Sequence, residues 1–375
     1  MLYEIDESCM NALETKDLNI IAFFEQLALD RRKCKNIVVA KREIFYKLAS
    51  TELLSKISRS VYNVLGNRMS ERKLLLKQTP KYCRIVAGEK GKSIAHDDSH
   101  DIILLNIQEG AVKDFTSSPF MLAENEEDIE FYKLVGKYYA KSSGLGNLNI
   151  NFENRNGGGS TISAVLQHII SEKNRMCLCI VDSDRKYEKD TSGDTMNKVK
   201  NVCQGVVQDY FEVLLLEAHE IENIIPFGVL EKVITEKALE KQGLEFLKYL
   251  LQCDNTVNSP IFCFDLKKGI LKSSFILENE ANDEKKRQYR KKELYRKYWK
   301  KYIEGYGITI DENSDEILVK GICERILRYA LKYLSELDTV DKLFLIELEK
   351  PIQQIWNIIG EKVYCWGCMG GRIAV

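Results

Sequence analysis

The chain is poor in several features that mark common protein classes. It contains five prolines in 375 residues, and this scarcity favours helix-rich packing. No apolar run approaches the length that crosses a bilayer, and no internal repeat indicates a solenoid or a propeller. The formal net charge is −1, so attraction to a polyanion has to come from local basic patches rather than from a general field.

The sequence also lacks the cysteine pattern of a disulfide framework and the apolar pattern of a signal peptide. The eleven cysteines are odd in number and irregular in spacing, which is typical of free thiols in a reducing cytoplasm. The segment Met1–Glu7 is acidic and lacks the apolar core of a signal peptide. The length allows two or three domains. We therefore expect a cytoplasmic, non-membrane protein; a homo-oligomer is left open.

Two further motifs are incomplete. Gly88–Ser93 ends in Gly-Lys-Ser, but its first glycine lies too close to that triplet for a Walker A loop, and a basic turn is the better interpretation. His96 with His100, and Cys365 with Cys368, have the spacing of zinc ligands. Nothing in the sequence brings these two pairs together, so a polar loop and a terminal cysteine pair are the default interpretation.

Three short apolar runs in the middle of the chain are each followed by acidic residues. Runs of this length are typical of buried strands, and the segments between them have helical periodicity. Alternating strands and helices predict a parallel sheet, whose carboxyl edge would collect the acids. The runs are Pro119–Ala123 before Glu124, Met176–Val181 before Asp182 and Asp184, and Phe211–Leu216 before Glu220 and Glu222.

Carboxylates gathered at one edge predict a metal site. They repel one another unless a cation lies among them, and an all-oxygen set selects a hard ion, Mg²⁺ or Mn²⁺. Asp182 and Asp184 would point to the same face if their strand continued. One cluster alone would be read as a solvated strand end. Three clusters placed alike favour a metal held by Glu124, Asp182, Asp184, Glu220 and Glu222.

The residues around these acids resemble those of TOPRIM nucleases. Ala123–Tyr132 is similar to the pattern V-E-G-x-x-D-x-x-F-Y, and Ala218–Asn223 resembles the h-x-I-E-N segment of OLD-type and related phage-defence nucleases. Asn125 stands where the family usually has glycine, which frees the backbone; asparagine tolerates unusual dihedral angles second best. The resemblance covers less than a third of the chain.

The resemblance implies a nuclease that hydrolyses phosphodiester bonds of DNA or RNA with two metal ions. It makes Glu124, Asp182, Asp184 and Glu222 catalytic, with Glu124 bridging the metals or acting as general base. It also implies anti-phage defence, with any ATPase as a separate subunit. His219 is a candidate acid or base, although an orienting role is commoner. A metal-dependent phosphatase, a nucleotidyl or sugar transferase, and an inert nucleic-acid-binding module stay open.

Three consecutive glycines precede a predicted helix, Ile162–Glu172, which Ser160 or Thr161 is expected to cap. Glycines before a helix N-terminus let the backbone approach a phosphate. Gly158, Gly159 and Ser160 therefore form a predicted phosphate loop, for which a flexible connector is an equal alternative.

Residues 285–302 form a basic and aromatic segment, with ten lysines and arginines and five aromatic residues. Cations neutralise phosphates, and aromatic faces stack on bases. The alternative is a solvated helix whose aromatic residues face the core. Because an acidic metal site needs help in attracting a polyanion, nucleic-acid contact is favoured. The expected contacts are Arg185, Lys186, Arg290, Lys291, Lys292 and Arg296.

These patterns predict an α/β protein with three segments. Residues 1–116 form an N-terminal α/β or helical domain of unknown role. Residues 117–232 form a TOPRIM-like parallel sheet flanked by helices. Residues 233–375 form a helix-rich region, in which Ile261–Asp265 is expected to be a strand and Val229–Leu251 one or two helices.

Overall fold

The computed structural model describes most of the chain. The predicted turn Gly88–Ser93 lies outside the described residues except for Gly88. The described residues are 1–68, 72–88, 94–96, 99–110, 113–145, 148–275, 283–311, 314–337 and 346–373.

Contacts between residues divide the chain into two compact units. The predicted segments 1–116, 117–232 and 233–375 follow sequence order and stay predictions. The first unit comprises Met1–Ile180, Val199–Leu214 and Ile358–Val375, and the second comprises Val181–Lys198 and Leu215–Asn357.

The first unit contains a five-stranded sheet near the N-terminus. Its strands are β1 (Leu2–Ile5), β2 (Ile37–Ala40), β3 (Lys81–Val86), β4 (Ile94–His96) and β5 (Asp101–Asn106). Their spatial order is β2-β1-β3-β5-β4. All pairs are parallel except β4, which runs antiparallel to β5. Every residue of β1 and β2 is buried, as is typical of parallel strands covered by helices on both faces.

Helices connect these strands, so the N-terminal region is α/β. Tyr62 illustrates their packing: its hydroxyl donates a 2.7 Å hydrogen bond to the carbonyl of Phe24, and both rings are buried. The helices are α1 (Ser8–Glu14), α2 (Leu18–Arg32), α3 (Arg42–Ser50), α4 (Lys56–Asn67), α5 (Arg72–Gln78) and α6 (Ile107–Gly110).

A second sheet follows in the order β10-β9-β6-β8. It contains β6 (Phe120–Ala123), β8 (Glu153–Asn156), β9 (Cys177–Val181) and β10 (Phe211–Leu215). Because β6 is parallel to both β8 and β9, the predicted parallel sheet is confirmed. The three apolar runs form β6, β9 and β10, as expected.

The apolar pattern of Leu148–Phe152 also predicts a strand of this sheet, but the segment does not join it. That segment contains only the short β7 (Asn149–Ile150), which pairs with β13 (Cys368–Met369). The sheet strand is the polar β8, which lies at the sheet edge and pairs along one side with β6. An edge strand exposes one face of its ladder and needs little apolar sequence.

The helices around this sheet match the predicted pattern closely. Helix α8 (Ile162–Glu172) has the predicted bounds, and α7 (Glu126–Ser142) follows the first of the three apolar runs. Helix α9 spans Asp194–Cys203. These elements confirm the alternation of strand and helix from which the sheet was predicted.

The second unit is rich in helices, as predicted for the C-terminal region. The predicted strand at Ile261–Asp265 is wrong: Pro260–Cys263 is a 3-10 turn, because Pro260 fixes φ and suits the first helical position. Strands β11 (Gly269–Leu271) and β12 (Ile317–Lys320) are antiparallel. The helices are α10 (Phe227–Lys237), α11 (Gln242–Cys253), α12 (Asp283–Gly305), α13 (Ile326–Glu336) and the start of α14 (Lys350–Gly367).

Helix α12 carries the basic and aromatic segment, and its aromatic side chains face inward. Trp299 is 1% exposed, its ring contacts Phe246 and Phe264, and its Nε1 donates a 2.8 Å hydrogen bond to the carbonyl of Lys186. Trp299 therefore packs in the core, as the alternative interpretation expects, while the nucleic-acid contact of this segment stays a prediction. No helix in the described ranges has the length and apolar character required to span a membrane.

Candidate functional site

The chain turns sharply after β9. The strand ends at Val181, and Asp184 adopts a φ of +54°, a left-handed conformation that is uncommon outside glycine. The condition under which Asp182 and Asp184 would share one strand face is therefore not met. Two backbone hydrogen bonds hold the turn: Asp184 N–H donates to His219 O at 2.9 Å, and Gly193 N–H donates to Ser183 O at 2.8 Å.

Gly193 leaves room for the carboxylate of Asp184, because a Cβ at this position would overlap with it. Asp184 is partly buried. Burial raises its pKa above the ordinary value, and the charge of Glu220 adds to this effect against the opposing charges of His219, Lys186 and Lys267. Asp184 is thus a carboxylate with an increased proton affinity.

Asn223 organises the turn that carries the next acids. Its Oδ1 accepts a 3.0 Å hydrogen bond from the N–H of Glu220. Its Nδ2 donates to the carbonyls of Ile261 and Phe264 at 2.7 Å each. Since Asn223 is 4% exposed, these buried bonds are costly to break. They bring the segment before Asp265 to the turn.

Asp182 contacts the same turn. Its Oδ2 accepts a 3.1 Å hydrogen bond from the N–H of Ile221, at the start of the 3-10 turn Ile221–Ile224. A carboxylate at this place satisfies a backbone donor that the turn leaves unpaired. One oxygen of Asp182 therefore has a structural task beside its predicted role as a metal ligand.

His219, Glu220 and Asp265 form a group of potential metal donors. One donor atom of each lies within 4.8 Å of the others, and Nε2 of His219 is 3.9 Å from Oδ2 of Asp265. His219 is 4% exposed, and its Nδ1 has no hydrogen-bond partner among the described residues. The donor group contains Glu220 from the predicted set and adds Asp265 and His219.

Asp265 was not selected from the sequence, although it follows the apolar run Ile261–Phe264 just as the predicted acids follow theirs. Burial raises its pKa, but the nearby His219 imidazole and the hydrogen bonds from the backbone N–H groups of Lys268 and Lys267 outweigh this effect, so its pKa lies below the ordinary value. Asp265 is therefore an ionised carboxylate in a partly buried place.

Lys267 was also missed, and it contacts two predicted ligands. Its Nζ lies 3.1 Å from Oε2 of Glu220 and 2.9 Å from Oε1 of Glu222. Glu222 is 4% exposed; burial raises its pKa more than the Lys267 charge lowers it. Burial lowers the pKa of Lys267, but the two glutamates outweigh burial and raise it. Lys267 is therefore a charged partner of both acids.

A cleft of about 550 Å³ lies in the second unit. Asp265 belongs both to the donor group and to the lining of this cleft. The aromatic rings of Tyr187, Tyr295 and Trp299 form part of the wall. The charged lining consists of the carboxylates of Asp184, Asp190, Asp194 and Asp265 and the ammonium groups of Lys186, Lys268, Lys291 and Lys292.

The predicted basic contacts separate into two groups. Lys186, Lys291 and Lys292 line the cleft. Arg290 and Arg296 are exposed on α12 and are not among its lining residues. The guanidinium of Arg185 instead donates a 2.8 Å hydrogen bond to the carbonyl of Glu217 in the same unit.

Glu124 and the glycine loop belong to the first unit, so a site that joins Glu124 to the other acids stays a prediction. Glu124 directly follows β6, whose neighbours β8 and β9 lie on opposite sides. Strand order reverses at such a point, which is where open α/β sheets bind ligands.

In the glycine loop, Gly158 and Gly159 have φ of +60° and +61°. The Gly158 N–H already donates to the carbonyl of Glu124 at 3.1 Å. Thr161 occupies the N-cap position of α8, as predicted, but its side chain makes no capping hydrogen bond; its Oγ1 instead donates to the carbonyl of Gly157. The phosphate role of Gly158, Gly159 and Ser160 stays a prediction.

The Asn125 position does not need a glycine. Its φ of −133° and ψ of 161° are ordinary extended values, so the unusual dihedral angles expected here are wrong. Asn125 N–H donates a 3.0 Å hydrogen bond to Oδ2 of Asp128 in a capping box at the start of α7. Phe131 and Tyr132 are buried. Three pattern residues after Asn125 thus have structural tasks.

The cysteine and histidine pairs do not enter the donor group. Cys365 and Cys368 are buried free thiols of the first unit, and burial raises the pKa of both. His96 is exposed, and its Nδ1 lies 2.7 Å from Asp101. Within the described ranges, three or more metal-donor side chains come together at His219, Glu220 and Asp265 alone.

Comparisons with known proteins found no matching family model, curated protein or solved structure. The resemblance to TOPRIM nucleases therefore stays a prediction from the residues quoted above. The chemistry available to the chain follows from the donor group and the cleft, both of which lie in the second unit.

Proposed function

We propose that the chain is a divalent-metal-dependent phosphodiesterase that cleaves nucleic acid, with an ion bound by His219, Glu220 and Asp265. One observation carries this proposal: carboxylates and lysines line the same cleft. A phosphodiester is an anion, so it needs cations around it and a further positive charge at the acidic side. A bound divalent ion would provide that charge and offset the repulsion among the acids.

The donor set fits an ion of intermediate hardness. Two carboxylates and an imidazole lie within reach of one another, and the buried His219 has an unpaired Nδ1 within the described part of the chain. Carboxylates suit both Mg²⁺ and Mn²⁺, and of these two ions Mn²⁺ is the transition metal and accepts an imidazole nitrogen more readily than Mg²⁺, which prefers oxygen donors. We therefore expect Mn²⁺ to support the reaction at least as well as the Mg²⁺ expected from an all-oxygen set.

When bound, such an ion supplies Lewis-acid polarisation of a phosphoryl oxygen. The lysines of the cleft neutralise the phosphates of the substrate. Asp184 lines the same cleft, and its raised pKa suits a general base that takes the proton of an attacking water. Charge neutralisation and proton transfer are thus assigned to residues of one cleft, and Asp265 belongs both to its lining and to the donor group of the ion.

The TOPRIM arrangement belongs to the same proposal. The order of elements supports it: β6 is followed by Glu124, α7, β8, α8 and β9, and the two aspartates then follow β9. In the first unit, Glu124 would be the further catalytic acid that the resemblance implies. Phage defence and a separate ATPase subunit follow from the family resemblance alone.

The full-length chain is tested with plasmid DNA, single-stranded DNA, total tRNA and p-nitrophenyl phosphate, each with Mg²⁺, Mn²⁺ or a chelator. We expect cleavage of a nucleic acid with metal and none with chelator, and loss of cleavage by Asp265→Asn. Glu236→Gln, an exposed change on α10, is the matched control. Turnover of the monoester alone would favour a phosphatase. No reaction and no bound ion would leave an inert binding module.

The lysine side of the cleft is tested by charge reversal. Lys291→Glu with Lys292→Glu should weaken nucleic-acid binding and reduce its dependence on salt, because fewer counterions are released. Arg290→Glu with Arg296→Glu makes the same charge change on the same helix outside the cleft lining. Equal effects of the two double variants would show a general charge effect and remove the cleft from the interface.

A further inference from the structure

The ammonium of Lys267 lies between Glu220 and Glu222, two of the carboxylates predicted as metal ligands. It contacts Glu220 at 3.1 Å and Glu222 at 2.9 Å, so one cation already bridges both. About a quarter of the Lys267 side chain is exposed, and Glu222 is 4% exposed. A buried carboxylate needs a partner charge, and removing that partner is strongly destabilising.

The same acids are divided between two cations. Glu220 belongs to the donor group with His219 and Asp265 and also pairs with Lys267. Glu222 pairs with Lys267 and is not a member of that group. A two-ion site that uses Glu222 as a ligand would have to displace the ammonium from both glutamates.

We propose that the Lys267 ammonium serves as the second cation of this site, so that the chain binds one divalent ion through His219, Glu220 and Asp265 instead of two. This inference rests on the metal site of the proposed function and departs from the two-ion mechanism that the family resemblance implies. Glu222 then is a positioning residue: it holds Lys267, and Lys267 holds Glu220 beside the ion.

The arrangement also determines how many ions the site exchanges with the solution. A lysine contributes one positive charge at a fixed place, with no exchange with solution ions. A site with one exchangeable ion saturates with a single binding step, whereas paired ions a few ångström apart bind in two coupled steps. The number of bound ions therefore separates the two mechanisms without any measurement of cleavage.

The stoichiometry of Mn²⁺ binding tests this proposal. Full-length protein stripped with chelator is titrated with Mn²⁺, followed by calorimetry and by the electron paramagnetic resonance signal of the free ion. We expect one ion per chain for the wild type and for Glu222→Gln, with affinities that agree within about threefold. Two ions in the wild type, or loss of an ion in Glu222→Gln, would overturn the proposal.

Removal of the Lys267 ammonium should strengthen Mn²⁺ binding. Lys267→Met leaves Glu220 and Glu222 without their shared cation, so we expect a second Mn²⁺ or binding of the first ion at least about tenfold tighter. Lys232→Met, an exposed lysine of α10 outside the cleft lining, is the matched control and should bind like the wild type. Binding by Lys267→Met that equals the wild type would contradict the inference.

A folding defect in Lys267→Met is separated from a binding effect by the double variant Lys267→Met with Glu222→Gln, which removes both buried charges together. This variant should fold and bind one Mn²⁺; binding of none or of two would contradict the inference. One bound ion in the wild type without cleavage of any nucleic acid would overturn the nuclease proposal alone. No bound ion would overturn both proposals.

Discussion

The two units differ in how many lysines neutralise their largely buried glutamates. This difference separates a structural ion pair in the first unit from the candidate site in the second. In the first unit, Glu212 on β10 lies 2.8 Å from the Nζ of Lys81 and 2.8 Å from that of Lys362. It also accepts a 2.7 Å hydrogen bond from Nε1 of Trp366. One carboxylate therefore has two cations and an indole donor.

In the second unit, the glutamates of the candidate site outnumber the lysines that contact them. Glu220 and Glu222 share the single ammonium of Lys267, and Oε2 of Glu222 has no hydrogen-bond partner in the part of the chain that the structure describes. Two carboxylates therefore divide one cation, and Asp265 adds a further negative charge to the donor group.

The direction in which the pKa of each glutamate shifts follows the number of lysines that neutralise it. Burial raises the pKa of Glu212, but Lys81 and Lys362 outweigh it and lower the pKa to about 2. For Glu222 burial exceeds the effect of Lys267, and the pKa is raised. Where a buried charge is fully offset, removing it is strongly destabilising, because its partners are left uncompensated. A group left short of positive charge marks a place where a cation or a proton is needed.

The largest expected effect is the loss of the structural pair. Glu212→Gln leaves Lys81 and Lys362 without their carboxylate in a largely buried place, so we expect the free energy of unfolding to fall by about 3–5 kcal/mol. Urea unfolding monitored by circular dichroism measures it. A loss below about 1 kcal/mol would show that the cluster behaves as a surface ion pair.

This difference should depend on pH with a definite sign. The pKa of Glu212 in the folded chain, about 2, lies below its ordinary value of 4.5, so the ionised folded state is favoured. The stabilisation by Glu212 is complete above pH 4.5 and is lost as the pH falls towards about 2. Unfolding of wild type and Glu212→Gln across this range should show the two free energies converging; a constant gap would contradict the assignment.

Metal should stabilise the donor group of the second unit and not the Glu212 cluster of the first. At a Mn²⁺ concentration 100 times the dissociation constant, binding to the folded state contributes about 2.7 kcal/mol. We expect Mn²⁺ to raise the melting temperature of the wild type and of a Glu212 variant that still folds, and to leave Asp265→Asn unchanged. Thermal scans with and without chelator measure it. An equal rise in Asp265→Asn would place the ion elsewhere.

The smallest effect on the free energy of unfolding is expected from a change at Glu222, which shares its one lysine with Glu220. The pKa of Glu222 is raised in the folded chain. Its ionisation therefore opposes folding once the pH rises above the pKa that this group has in the unfolded chain. Glu222→Gln keeps the side-chain volume, and Lys267 keeps Glu220 as its partner. We therefore expect a change in the free energy of unfolding within about 1 kcal/mol at neutral pH, measured with urea beside Glu212→Gln. Equal losses in the two variants would remove the distinction drawn here.

Most of the second sheet could be predicted because its signals are local. The apolar runs that form β6, β9 and β10 are short and bounded by polar residues. The strand β8 has the sequence Glu-Asn-Arg-Asn, which carries no apolar pattern, and its place is decided by pairing with β6. The apolar run after Pro260 became a turn because proline and long-range contacts overrode strand propensity.

The candidate site could be predicted only in part, for a physical reason. Glu220 follows β10 closely in sequence, so its place at the end of a strand was visible. Asp265 and Lys267 come to the turn through the bonds of Asn223 to the Ile261 and Phe264 carbonyls. No periodicity or spacing records such bonds. A buried asparagine is therefore as informative about this site as the acids themselves.

The indole of Trp299 has a use beyond packing. It lines the cleft, and its N–H is bonded to the carbonyl of Lys186, two residues beyond Asp184. Indole emission shifts with the polarity and hydrogen bonding of the ring, so this side chain is an optical reporter set beside the loop. Filling of the cleft by an ion or a phosphate should change the colour of its fluorescence, without any attached dye.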